Sequence, residues 1–156
     1  MVRILSPWFE NLGKRQIKSP KIFFRDSGIL HALLNLQNEE ALRVHPKLGS
    51  FWEGFALEEV CRFMKASPED CYFWGTQSGA ELDLLIVRGE KRIGFEIKYT
   101  DCPKITPSMH IALRDLKLEH LYVIFPGKTS FALSEKITAQ GLFSLRNKRS
   151  TDRLLA

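Results

Sequence analysis

Four ionisable residues fall inside the two apolar runs of GAELDLLIVRGEKRIGFEIKYT (79–100): Glu81, Asp83, Glu96 and Lys98. Carboxylates of this kind hold a hard divalent cation, and a lysine beside them can stabilise negative charge on a phosphoryl group. The plainer reading is a solvent-facing strand pair, with Glu81 and Lys98 ion-paired and Asp83 and Glu96 hydrated. The choice turns on which residues face each other across the hairpin.

With Gly89-Glu90 as a two-residue loop, Arg88 faces Lys91, Ile86 faces Ile93, Leu84 faces Phe95 and Leu82 faces Ile97. That face is wholly apolar. On the other face Leu85 meets Gly94, Asp83 meets Glu96 and Glu81 meets Lys98. A slip by one residue would set apolar against charged positions, so the pattern selects this register or one two residues away. Opposed Asp83 and Glu96 then have Cβ atoms about 4.5–5.5 Å apart, a like-charge pair that destabilises the hairpin. A divalent cation between them removes the conflict, since Mg²⁺ is typically held by one or two carboxylates with waters and phosphate oxygens. Lys98 shares a face with Glu96, beside the cation, where it stabilises developing charge or orients a water. Gly94 leaves room for a ligand or another backbone. Together these residues make a phosphodiesterase site.

The elements that must position them can be read outward from the hairpin. SFWEGFALEEVCRFMKA (50–66) is an amphipathic helix, with Trp52, Ala56, Leu57, Val60, Cys61, Phe63 and Met64 on one side. Glu58, Arg62 and Lys65 lie on the other, Glu58 and Arg62 being spaced for an i,i+4 pair. Glu53 sits in the apolar stripe. As the fourth residue of Ser50-Phe51-Trp52-Glu53 it fits a capping box; aimed at the sheet, it is a third carboxylate. CYFWGT (71–76) and LYVIF (121–125) read as strands, the latter buried in mid-sheet. Between them Thr106 caps a helix that starts at Pro107 and runs to about Lys117. The order over 50–125 is α-β-β-β-α-β, a mixed sheet flanked by helices.

Before this core, KIFF (21–24) is a short strand and Asp26 or Ser27 caps a helix to Leu36, followed by polar, turn-like residues 37–49. Residues 1–20 form a basic connector, residues 21–145 the domain and residues 146–156 a basic tail. Lys14, Arg15, Lys18 and Lys21 make either a solvated connector or a phosphate-contacting patch. FAL and GLFSL near the end read as edge strands or turns.

The bulk numbers exclude more than they assert. The chain has 156 residues, 44% hydrophobic and 26% charged, enough for one domain with a real core. Its net charge of +5 admits an anionic partner. Cys61, Cys71 and Cys102 form no CxxC pair, so neither a disulfide framework nor a zinc site is indicated, and a reducing cytoplasm is the simplest compartment. No run reaches the roughly 18 apolar residues of a membrane span. Gly127-Lys128-Thr129 lacks the glycine at 122 that a P-loop needs, Tyr122 standing there, so no ATP site is expected in this chain.

Glu53 on a helix, then a strand, Asp83, and Glu96-Ile97-Lys98 resemble the PD-(D/E)XK phosphodiesterase superfamily, although Leu82 stands where that pattern has proline. The resemblance implies a restriction-endonuclease-like α/β fold. It assigns Asp83, Glu96, Glu53 and the Ile97 position to Mg²⁺ or Mn²⁺, Lys98 to catalysis with those acids, and Glu81 to a supporting place. A closer resemblance covers nearly the whole chain. IKSPKIFFRDSGILHALL (17–34), GSFWEGFALEEV (49–60), YFWGTQSGAELDLLI (72–86), FEIKYT (95–100) and the strand into FPGKTSFAL are similar to a C-terminal domain of unknown function that follows an AAA+ ATPase module in many bacterial and archaeal proteins. The expected function is a Mg²⁺-dependent nuclease-like domain acting on or binding DNA, with an ATPase module in cis or in trans. Its alternative is an inactive nucleic-acid-binding or protein-interaction domain of an ATPase.

Overall fold

The structure, a computed structural model, describes residues 1–10, 13, 16 and 19–147. Lys14, Arg15 and Lys18, expected as nucleic-acid contacts, and the basic tail from 148 onward lie outside the described residues.

The described strands of the chain join into one mixed sheet. Its strands are β1 (Val2–Pro7), β2 (Lys21–Phe24), β3 (Cys71–Gly75), β4 (Glu81–Arg88), β5 (Lys91–Ile97), β6 (His120–Phe125), β7 (Ser130–Ser134) and β8 (Ile137–Gly141). They lie side by side in the order β2-β1-β3-β4-β5-β6-β8-β7. β3, β4 and β5 form an antiparallel centre, flanked by parallel pairings of β1 with β3, β5 with β6 and β6 with β8. The helices are α1 (Ser27–Leu33), α2 (Glu39–Arg43), α3 (Leu48–Phe63), α4 (Pro107–Asp115) and α5 (Leu142–Asn147). Thus α3-β3-β4-β5-α4-β6 follows the expected order.

Both faces of the central sheet are covered. Ala56, Leu57 and Val60 of α3 and Met64 at its C-cap bury Leu84, Ile86, Phe95, Tyr122 and Ile124 on one side. Met109, Ala112 and Leu116, in and just after α4, bury Leu82, Leu85, Leu121 and Val123 on the other. Successive residues of β6 therefore enter opposite cores, which is why that strand is apolar throughout. Among the described residues no helix is long and apolar enough to cross a membrane.

Several expectations are corrected at the margins. The first twenty residues are not only a connector: Arg3 and Leu5 of β1 point inward, buried, and β1 pairs with both β2 and β3. α1 stops at Leu33 rather than Leu36, because the chain turns left-handed at Asn35 (φ 53°). The turn-like 37–49 segment contains α2, capped by Asn38, whose side chain accepts the Ala41 N–H. GLFSL enters helix α5, while the preceding Ile137–Gly141 supplies β8 between β6 and β7. Gly127–Thr129 is a turn leading into β7, tied to the next elements by Gly141 N–H to Thr129 O (2.8 Å) and Phe143 N–H to Gly127 O (3.1 Å).

Candidate metal and phosphate site

The β4–β5 hairpin has the expected register as far as it remains a ladder. Arg88↔Lys91, Ile86↔Ile93, Leu85↔Gly94 and Leu84↔Phe95 are partners around Gly89, whose φ of +60° suits glycine in the loop. Beyond Leu84 the two strands part. The Asp83 carboxylate enters the gap, and its Oδ2 accepts the Ile97 N–H at 2.8 Å. The next backbone donor, Lys98 N–H, turns to β6 and bonds Ile124 O at 2.9 Å. A carboxylate has replaced a rung of the ladder.

On its other edge β4 is irregular at the same place. Tyr72 faces Leu85 and Trp74 faces Leu82, so Asp83 and Leu84 together oppose Phe73. Such a bulge re-aims side chains. It also corrects the expected faces: Leu82 packs with Leu85 in the α4 core, whereas Leu84, Ile86 and Ile97 belong to the α3 core. Leu82 is therefore not the cross-strand partner of Ile97. Gly94 has a packing reason, since a Cβ there would meet Leu118 Cδ1 at 2.6 Å and Leu82 Cδ2 at 3.2 Å.

Glu53 reaches the site because α3 begins earlier than Ser50. The helix starts at Leu48, its N-cap is Lys47 without a side-chain cap bond, and Ser50 is already inside the first turn. The capping box of Ser50 with Glu53 does not form. Instead Glu53 Oε1 lies 3.9 Å from Lys21 Nζ. The same ammonium is paired with Glu81 and is 3.9 Å from Asp83 Oδ1. Lys21, expected among the nucleic-acid contacts, is thus placed among the acids. Glu81 pairs with Lys21 rather than Lys98, and Lys98 Nζ bonds Glu96 Oε1 at 2.9 Å. β4 is clipped to α4 at this end: the Glu81 N–H and Ser108 Oγ are 2.8 Å apart, and Ser108 Oγ donates to Glu81 O at 2.8 Å.

Asp83 and Glu96 are not a hydrated face, being only 8% and 5% exposed. Burial, followed by the Asp83 charge, pushes the Glu96 carboxyl up to about 7. Burial likewise raises Asp83, against the lowering effect of the Ile97 hydrogen bond and of Lys98 and Lys21. Glu53 is raised by burial and then by Asp83. For Lys98, burial lowers the pKa, but the charge and hydrogen bond of Glu96 outweigh it and the pKa is raised. Glu96 Oε2 is buried and finds no donor among the described residues. Four acids share two lysines here, and a buried oxygen is left without a partner.

Whether the set fits a divalent cation can be judged on its chemistry and spacing. Its donors are oxygens, the ligands that Mg²⁺ and Mn²⁺ prefer, and Glu96 Oε2 is free to accept. As the side chains stand, no group of three or more His, Cys, Asp or Glu among the described residues is disposed to hold a metal ion. Lys21 accounts for part of that spacing, its ammonium lying among Glu53, Glu81 and Asp83. The donor chemistry fits; the resting arrangement is held by a lysine. A cleft of about 540 Å³ opens beside it, lined by Lys21, Lys47, Ser50, Glu53 and the β2 backbone.

Sequence reasoning missed a second charged centre. Glu58, placed on the polar face with Arg62, is buried against Arg3 of β1, which donates through Nε and, at 3.1 Å, through Nη2. Arg62 pairs with Glu59 instead. The partners are 55 residues apart, so no local pattern announces them.

A family model described as "Domain of unknown function (DUF4143)" matches residues 48–145. Residues 1–40 match a second one, "Domain of unknown function (DUF8612)". The chain is 46% identical, over all of its length, to the uncharacterized protein Mb2031c of Mycobacterium bovis and to the uncharacterized protein Rv2008c of Mycobacterium tuberculosis. It spans 35% of the length of each. No solved structure matches.

Proposed function

We propose, for a chain that belongs to the family of the domain of unknown function DUF4143, a nuclease-like activity: a site that takes Mg²⁺ or Mn²⁺ and acts on or binds DNA. The observation behind this reading is the meeting of Asp83, Glu96 and Lys98 where β4 and β5 part, with Glu53 brought to the same place by α3. In this reading the domain works with an AAA+ ATPase module, in cis or in trans. The resemblance to PD-(D/E)XK enzymes supports it at the level of residue order, Glu53, Asp83, Glu96 and Lys98 falling as that pattern requires.

Asp83, Glu96 and Glu53, with the Ile97 position between acid and lysine, would hold the cation. When bound, it would neutralise phosphate charge and lower the pKa of a water. The chain's own groups do the rest. The Ile97 N–H fixes Asp83 through Oδ2. Glu96 holds Lys98 through Oε1, which keeps the ammonium beside the acids, where it stabilises charge that develops on a phosphoryl oxygen. Glu96 itself, pushed up to about 7 by burial and Asp83, gives up its proton readily once a cation is near.

A second reading has its own observation. Lys21 already supplies a cation to three of the acids, which favours a retained fold with a silent site, serving nucleic-acid or ATPase binding. Incubation of the purified chain with linear and circular DNA and Mg²⁺ or Mn²⁺ separates the two. Cleavage by the wild type that is lost in Asp83→Ala and Lys98→Ala supports the nuclease reading. Absence of cleavage, or cleavage undiminished in Asp83→Ala, removes it. Salt-dependent DNA binding without cleavage selects the silent module.

A further inference from the structure

Lys21 is the first residue of β2, which lies at the sheet margin beside β1, yet its side chain crosses to the acids of α3 and β4. Its Nζ stands over the Phe73 ring, 5.3 Å from the centroid. The ammonium pairs with Glu81 and stands 3.9 Å from both Glu53 Oε1 and Asp83 Oδ1. Lys98 holds the remaining acid, Glu96, from the other side and leaves Glu96 Oε2 without a donor among the described residues. The two lysines therefore divide the acids between them. Formal charges of −4 from Glu53, Glu81, Asp83 and Glu96 and +2 from Lys21 and Lys98 leave −2, and withdrawal of Lys21 deepens this to −3, which attracts a divalent cation in its place.

We infer that Lys21 is the resting counter-cation of this cluster, and that a divalent cation enters by displacing its ammonium from Asp83 and Glu53. The inference rests on the metal-binding reading above and adds its control. Two cations this close repel strongly in a half-buried site, so the lysine and the metal exclude one another. A four-carbon stem with a point charge can swing away without disturbing the strand, which a planar guanidinium would do less easily. The cleft beside Glu53 and Lys21 gives the displaced ammonium an outlet, where it faces an incoming phosphate instead of a carboxylate.

The test is calorimetric titration of the 156-residue chain with Mn²⁺, wild type against Lys21→Met, with chemical acetylation of lysines in the wild type as a second readout. The inference predicts Mn²⁺ affinity at least about tenfold higher in Lys21→Met, because a unit positive charge beside the ion is gone. It also predicts that saturating Mg²⁺ raises acetylation of Lys21, followed by peptide mass spectrometry, while exposed Lys65 stays constant. Equal or weaker binding by a folded Lys21→Met, or Lys21 labelling that ignores Mg²⁺ in a chain that binds it, overturns the inference and leaves the metal reading standing. If neither protein binds Mn²⁺, both fall together.

Discussion

The molecule buries charge in two places and treats it differently. Between β1 and α3, Arg3 meets Glu58 as one cation against one anion, joined by two hydrogen bonds and backed by Arg25 at 3.4 Å. The Glu58 hydrogen bond raises the Arg3 pKa further, so the guanidinium stays charged. Where β4 and β5 part, four acids share two lysines, three of the acids have raised pKa values, and Glu96 Oε2 lacks a donor among the described residues. The first centre is closed, its one buried anion fully paired. Among the described residues the second is short of positive charge and of donors, as the proposed cation site would be. The difference teaches that burial of charge alone says nothing about function; what matters is whether the charge is balanced from within.

That contrast can be broken most forcefully at the closed pair. Glu58→Ala leaves the Arg3 guanidinium buried and unpaired, and should cost about 3–5 kcal/mol in urea unfolding. The double change Arg3→Met with Glu58→Leu should return most of that loss, because two apolar side chains of similar volume bury no charge. Lack of recovery would mean the pair does more than balance itself.

The open centre should respond with the opposite sign. Glu96→Gln removes one of two crowded carboxylates and is expected to stabilise the metal-free chain by about 1 kcal/mol at pH 8, while abolishing Mn²⁺ binding. Loss of stability of the size seen at Glu58 would place Glu96 among structural charges and remove the distinction drawn here.

The pH dependence sharpens the same point. Burial and Asp83 raise the folded Glu96 pKa to about 7 from an ordinary 4.5, so between those values the folded state binds the proton that the unfolded state has lost. Without metal, stability should therefore fall as pH rises from about 4.5 through 7, measured as the urea midpoint across that range. Glu96→Gln should flatten this slope, and a slope unchanged by the substitution would refute the assignment.

The smallest effect belongs to an exposed pair. Glu39 and Arg43 in α2 are four residues apart and mostly in solvent. Arg43→Ala should change stability by only about 0.3–0.5 kcal/mol, which sets the scale against which the buried centres are judged.

How much of this was legible in the sequence depended on whether an alternation had one answer. The β4–β5 register from Arg88↔Lys91 to Leu84↔Phe95 followed from apolar residues two apart, since a one-residue slip would have exposed them. The bulge at Asp83 and Leu84 was not legible. Both faces of the sheet are covered, so an apolar Leu82 is equally suited to either core and its pattern carries no warning. Asp83 and Glu96 were found by type and order, but as carboxylates opposed across an unbroken ladder. The carboxylate that takes over the Ile97 N–H could not be read from spacing.

α3 shows the opposite failure. Ser50 and Glu53 carry a good local capping signal, yet the helix starts at Leu48, and its first turn is held by Phe51 packing against the His31 and His45 rings. Tertiary packing outweighed the local signal, and Glu53 was freed for the site. Lys21 was read with its basic neighbours, since nothing in a linear charge run shows which lysine crosses the sheet to meet Glu81. Arg3 with Glu58 was hidden for the same reason.

The acids between α3, β4 and β5 are proposed to form a site for a divalent cation. The most direct measurement is equilibrium binding of Mn²⁺ to the purified chain, followed by electron paramagnetic resonance of the free ion. One bound ion per chain is expected, lost in Asp83→Ala and in Glu96→Gln while both variants remain folded. No bound ion in the wild type, or full binding in either variant, would contradict it.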